Sequence, residues 1–207
     1  MTDPIDSGSV RFFDAQFRRQ AAAGEFGLNP FEALALPHVR GDVLELGCGL
    51  GNLACAAAAR GARVLALDAS PAAIESLNSR ANAGAHAIDA RVADLSDYVP
   101  AGAYDTVVAI GLFMFFPCQS ARRQLARALE AVRPGGTLIV NVLIEGTTFM
   151  GMFDQKAGYC LFGEAELAHA LAGWQVLEDR VEHFPAPNGI KRFRTMIARR
   201  PAAPAVP

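Results

Sequence analysis

Three carboxylates stand along the first half of the chain, each in or after an apolar run: Glu45 in "DVLELG", Asp68 closing "ARVLALD" and Asp94 closing "HAIDARVAD". Two residues after Glu45 begins Gly47-Cys48-Gly49-Leu50-Gly51-Asn52, with glycine at every second position. Carboxylates accept hydrogen bonds from hydroxyl and amino groups and attract cations. A glycine turn between a strand and a helix lets the backbone come close to a ligand. The two features together suit a ligand with sugar hydroxyls and a cationic centre better than a bare phosphate.

Two ligand classes compete for such a turn. A dinucleotide site wants Gly-x-Gly-x-x-Gly, and here Asn52 stands where the third glycine belongs, which weakens that reading. S-adenosylmethionine has no phosphate but carries an amino-acid end, a cationic sulfur and a ribose. Glu45 suits the methionine end, while Gly47, Gly49 and Gly51 make room for it and Cys48 adds only a small side chain. Asp68, followed by Ala69, can accept from both ribose hydroxyls. Asp94 can accept from the adenine amino group while Leu95 offers its amide to the ring. With Asn52, these residues are the expected cofactor set, and Ile110 to Phe115, at a fourth strand end, are expected to wall the adenosyl group or the transfer pocket.

The elements that must position these groups alternate. "DVLELG", "ARVLALD", "HAIDARVAD", "YDTVVAIGLFMFF" and "TLIVNVLI" read as strands. Between them "NLACAAAARG", "SPAAIESLNSRA" with Ser70 as cap and Pro71 in the first turn, and "QSARRQLARALEAV" read as helices. Alternation over residues 42–144 calls for a parallel sheet with helices on both faces. After a loop (146–162) rich in Gly, Met and Phe and a helix "EAELAHALAGW", "WQVLEDRVEHF" and "KRFRTMIARR" form a hairpin across "PAPNG". Upstream, "VRFFDAQFRRQAAAGEF" suits an amphipathic helix, and Asn29 and Pro30 start a short second one.

At 207 residues the chain suits one domain, with 1–9 and 201–207 disordered and 10–40 a helical lid. Apolar residues make up 52% and charged ones 19%, enough for a core. A net charge of −2 gives no footprint for nucleic acid or an anionic membrane. The N-terminus lacks a basic and apolar leader, and no apolar run approaches the roughly 20 residues of a membrane span, so a cytoplasmic location is expected. Cys48, Cys55, Cys118 and Cys160 show no Cys-x-x-Cys pair, so they are expected to be reduced and largely buried.

"LELGCGLGN", "VLALDAS", "VADL" and "YDTVVAIGLFMF" resemble the successive cofactor motifs of class I S-adenosylmethionine-dependent methyltransferases over about residues 42–144. Further on, "GLFMFF", "RPGGTLIVNVL", "FGEAELAHALAGWQVL", "VEH" and "RFRTMIAR" resemble the tellurite-resistance type. The resemblance implies a Rossmann-like α/β fold: a seven-stranded, mostly parallel sheet with helices on both faces and the last strand antiparallel. It implies methyl transfer from S-adenosylmethionine to a small acceptor, among which a chalcogen oxyanion (tellurite or selenite) or a thiol, and catalytic roles for His183 and Arg192 as anion holders. The chain departs from the type where Phe184 replaces an arginine after the histidine and the hairpin turn lacks a further arginine. Lys191 and Arg194 compensate, or are plain strand residues. An apolar lid from the segment near Phe12 and the loop 146–162 would favour a partly hydrophobic acceptor.

No metal is expected: His38 and His86 are isolated and Glu166 with His169 is a single Glu-x-x-His. The competing readings are a nonenzymatic S-adenosylmethionine-binding module and a nicotinamide-dependent oxidoreductase. Monomer and homodimer both remain open, since the apolar face of the first helix packs on its own domain or on a second subunit.

Overall fold

The computed structural model describes residues 7–203. Of the tails expected to be disordered, 1–6 and 204–207 lie outside the described residues; Gly8 and Ser9 already belong to a helix, and 201–203 have no regular structure.

Seven strands form one sheet in the order β3-β2-β1-β4-β5-β7-β6. They are β1 Asp42–Leu46, β2 Arg63–Asp68, β3 Ile88–Val92, β4 Tyr104–Ile110, β5 Val132–Leu143, β6 Gln175–Ala186 and β7 Gly189–Arg199. The first five pair in parallel, with β1 in register with β2 from Asp42↔Arg63 to Leu46↔Leu67. β7 runs antiparallel to both neighbours, β5 and β6, as the expected hairpin demands.

The helices are α1 Gly8–Ala23, α2 Pro30–Ala35, α3 Asn52–Ala58, α4 Pro71–Ala83, α5 Cys118–Glu130 and a short α6 Glu166–Ala170. Their starts follow the local chemistry. Ser70 accepts from the Ala73 N–H at 3.1 Å ahead of Pro71. Asn29 and Glu32 cap α2 reciprocally, Asn29 Oδ1 accepting from the Glu32 N–H and Glu32 Oε2 from the Asn29 N–H. The chain after β4 is not strand to its end: Phe113–Phe115 close a 3-10 turn, so Phe113 and Met114 drop into the core.

Strand alternation feeds two cores, one on each face of the sheet. Leu44, Leu46, Val107, Leu138 and Val140 point toward α5 and α6, meeting Leu125, Ala128, Leu167 and Leu171. Val43, Val64, Val108, Ile139 and Ile197 point toward α2, α3 and α4, meeting Leu53, Ala57, Ile74 and Leu77. Among the described residues no helix is long and apolar enough to cross a membrane.

One expectation is overturned. Cys118 and Cys160, 42 residues apart, form a disulfide with their Cα atoms 4.6 Å apart, while Cys48 and Cys55 are free. Sequence spacing hid the pair because the fold, not the local chain, brings the start of α5 beside the end of the loop 146–162. The bridge fastens that loop to the helix.

Candidate functional site

The strands β1, β2 and β4 deliver their carboxyl ends to one cavity of about 1110 Å³, large enough for a nucleoside-sized ligand and a second small molecule together. Glu45, Gly47, Cys48, Gly49, Asn52, Asp68, Ala69, Asp94, Leu95, Ile110 and Phe115 all line it.

The glycine turn is built by the backbone and locked to β2. The N–H groups of Gly47 and Cys48 both donate to the Leu67 carbonyl, at 2.8 and 3.0 Å. Asp68 Oδ2 accepts from the Gly49 N–H at 2.8 Å and its Oδ1 from the Ser70 N–H at 2.8 Å. Gly49 has φ +51°, and a Cβ there would sit 3.0 Å from the Phe17 ring, so only glycine lets α1 lie on the turn. Gly51 departs from its expected role. It does not line the cavity; with φ +67° it precedes α3, and a Cβ on it would come within 2.5 Å of Leu77. Its lack of a side chain serves helix packing, not a ligand.

The three carboxylates have different surroundings. Glu45 is 5% exposed; burial first, then the charges of Glu32 and Asp68, push its carboxyl well above the usual range. Burial also raises Asp68, against the backbone hydrogen bonds from Ser70, Gly49 and Ala69 that favour its ionised form. Asp94 lies two residues beyond β3 and accepts from the Ser96 N–H at 2.9 Å and hydroxyl at 3.0 Å. Asn52 is occupied: its Nδ2 donates to the Gly27 carbonyl and its Oδ1 accepts from Arg80.

α1 closes one side. Phe13 packs edge-on against Phe115 with centroids 5.0 Å apart, Asp14 accepts from the Ser70 hydroxyl at 2.6 Å, and Asp154 accepts from the Gly8 N–H at 2.8 Å. From the loop 146–162, Met152 and Ala157 reach the cavity, Phe153 stacks on Tyr159 behind it, and Phe162 belongs to the core.

The expected anion holders lie elsewhere. On β7, Lys191 and Phe193 face the cavity, and period-two alternation turns Arg192 to the other side. There Arg192 donates to the Glu145 carbonyl at 2.6 Å, contacts His183 Nε2 at 3.4 Å and pairs with Glu164 at 3.2 Å. His183, opposite Arg192 in the hairpin register, does not line the cavity either. Arg194, on the same side, is paired with Asp179. The sequence reading chose these residues by motif and overlooked the parity of the strand.

It also missed further groups that line the cavity. Asn29 caps α2, Phe31 and Glu32 come from its first turn, and Asn141 comes from β5. The capping signal at Asn29 gave the helix but not where its first turn would dock. The lining acids among the described residues are Glu25, Glu32, Glu45, Asp68 and Asp94, against Lys191 alone as a cation.

Comparison with known proteins agrees with this arrangement. Residues 43–136 match a family described as a methyltransferase domain. Over 104 residues, 49% of this chain, the sequence is 43% identical to the ribosomal protein L11 methyltransferase of Dechloromonas aromatica, of which the match covers 32%. The matches span about a third to a half of the length of the curated relatives (32%, 46% and 47%). TehB from Haemophilus influenzae shares the fold with a TM-score of 0.71 at 22% identity, over 82% of this chain and 61% of that one. The 1,6-didemethyltoxoflavin-N1-methyltransferase of Burkholderia thailandensis, solved with its substrate and S-adenosylhomocysteine, shares it with a TM-score of 0.64 at 20% identity, over 91% and 87%. Residues 43–136, the stretch that matches the methyltransferase-domain family, hold Glu45, the glycine turn, Asp68 and Asp94.

Proposed function

We propose that the chain is an S-adenosylmethionine-dependent methyltransferase acting on a small molecule. The observation that carries the reading is the convergence of Glu45, Asp68 and Asp94 with the glycine turn on a single cavity. That donor set fits the cofactor. Asp68 retains acceptor capacity for ribose hydroxyls beyond the three backbone N–H groups, of Gly49, Ala69 and Ser70, that it already engages. Asp94 and the Leu95 amide suit the adenine edge, and Glu45, with Gly47 and Gly49, suits the cationic methionine end. Bound there, the cofactor supplies a methyl group on a sulfonium.

The chain's own contribution is position. Transfer is an in-line displacement in which the sulfur becomes neutral, so no acid is required for the leaving group. Holding an acceptor in line supplies up to roughly 7 to 11 kcal/mol through proximity. α1, Phe115 and Met152 keep water from the reacting atoms. His183 and Arg192 have no part in this reading; their contacts fasten the hairpin to residues 145 and 164. With a single lining cation, the acceptor is a neutral or cationic small molecule rather than a chalcogen oxyanion. The 1,6-didemethyltoxoflavin enzyme, a fold relative, is an N1-methyltransferase by its name, and a nitrogen acceptor is in keeping with such a cavity.

Calorimetric titration tests the cofactor. S-adenosylhomocysteine is expected to bind and NAD(P) is not. Methyl transfer to a panel of ring nitrogens, amines, thiols, hydroxyls, selenite and tellurite then separates an enzyme from a binding module. Failure of S-adenosylhomocysteine to bind would refute the reading.

A further inference from the structure

Asn141 sits in the wrong company for a core residue. It interrupts the apolar run from Leu138 to Leu143 on β5, is fully buried, and faces the same side of the sheet as Ile139 and Ile197. Its Nδ2 donates to Thr195 Oγ1 at 2.8 Å across the β5–β7 pair, and this fixes the amide. Its Oδ1 has no partner, although Asn141 lines the cavity. A buried carbonyl without a donor costs stability, and buried polar groups are ordinarily satisfied. An apolar residue would fill this position without that cost, so the oxygen is provided for something that arrives.

The surroundings say what kind of group. Asn141 is paired in register with Ile110 on β4 and lies on the side of the cavity away from Asp68 and Asp94, which come from the β2 and β3 ends. The wall beside it is aromatic: Phe31 and Phe193 line the cavity with centroids 4.9 Å apart, and Phe184 backs both. Glu32 and Glu45 add carboxyl groups, and the ammonium of Lys191 lies over the Phe149 ring, 4.9 Å from its centroid. Acceptors therefore dominate, set against flat apolar surfaces. Such a subsite takes a planar molecule that brings its own hydrogen-bond donor.

On the methyltransferase reading above, we infer that the methyl acceptor is a flat nitrogen heterocycle whose ring N–H donates to Asn141 Oδ1 while the ring lies against the wall formed by Phe31 and Phe193, making Asn141 the residue that selects the acceptor. Asn141 neither receives the methyl group nor removes a proton. It orients the ring, so that the atom to be methylated is set by its position relative to the N–H.

The test uses the whole chain saturated with S-adenosylhomocysteine. Calorimetry follows binding of paired bicycles, benzimidazole, indazole and 4-quinolone, each against its N-methyl form, with sodium selenite as a further ligand. The N–H forms are expected to bind at least tenfold tighter than their N-methyl forms. Asn141→Leu is expected to abolish that preference while S-adenosylhomocysteine affinity, which also reports folding, stays unchanged. Thr195→Val, which removes the anchor of the amide without touching the cavity lining, is expected to weaken it. Equal binding of both forms, binding of neither, a preference that survives Asn141→Leu, or displacement of the N–H forms by selenite would overturn the inference. If the unmodified protein does not bind S-adenosylhomocysteine, the methyltransferase reading falls and takes this one with it.

Discussion

Asp68 and Gly49 are joined by a 2.8 Å hydrogen bond from the Gly49 N–H to Asp68 Oδ2, so the last residue of β2 holds the turn that follows β1. One carboxylate thereby shapes the turn and also faces the cavity. Asp68→Ala is expected to weaken S-adenosylhomocysteine binding by about 1 to 3 kcal/mol through lost hydrogen bonds. Calorimetry reads this directly, and an unchanged Kd would remove Asp68 from the cofactor set.

Gly51→Ala probes the packing role given to the third glycine. At φ +67° and with Leu77 within 2.5 Å of the added methyl, strain and overpacking act together. We expect a loss of roughly 2 to 4 kcal/mol in urea unfolding. A neutral outcome would mean that α3 and α4 are free to move apart.

Glu45 makes the stability of the ligand-free protein depend on pH. Its folded carboxyl is raised by burial above the usual value of 4.5, so the folded state holds a proton that the unfolded chain has already released. The contribution is fully present below that usual value and is lost as pH rises toward the folded one, leaving a constant penalty above it. Glu45→Gln removes the penalty. The variant is expected to be more stable than the parent by about 2 kcal/mol at pH 8, with a smaller gain at pH 5, while binding S-adenosylhomocysteine less tightly. Thermal scans at both pH values check the first part; a gain independent of pH would contradict the burial account.

The disulfide is countable. Thiol titration of the unreduced, denatured protein should find the thiols of Cys48 and Cys55 and not those of Cys118 and Cys160. Cys118→Ser should lower stability by up to about 4 kcal/mol, from the chain entropy of a 42-residue loop. Four titratable thiols would refute the bridge.

The fold was legible where local chemistry and global packing agree. Ser70 and Pro71 start α4 as their types demand, and the apolar runs around Leu44, Leu65 and Val107 all became strands of the parallel sheet. The gathering of Glu45, Asp68 and Asp94 at one cavity was equally legible, because their places follow from where strands end. The acceptor side was not. Whether Lys191 or Arg192 faces the cavity depends on the parity of β7, which is set by its pairing with β5 far away in sequence. Cys118 meets Cys160, and α2 brings Glu32 near Glu45, only through tertiary packing.

The cavity is divided along the chain. The part lined by Glu45, Asp68 and Asp94 comes from one contiguous stretch in the middle, while Phe13, Phe31, Asn141, Met152 and Phe193 arrive from what precedes and follows that stretch. Grafting the two ends of another protein of this architecture onto residues 43–136 should therefore trade one guest for another and leave the proposed seat of the methyl donor as it was.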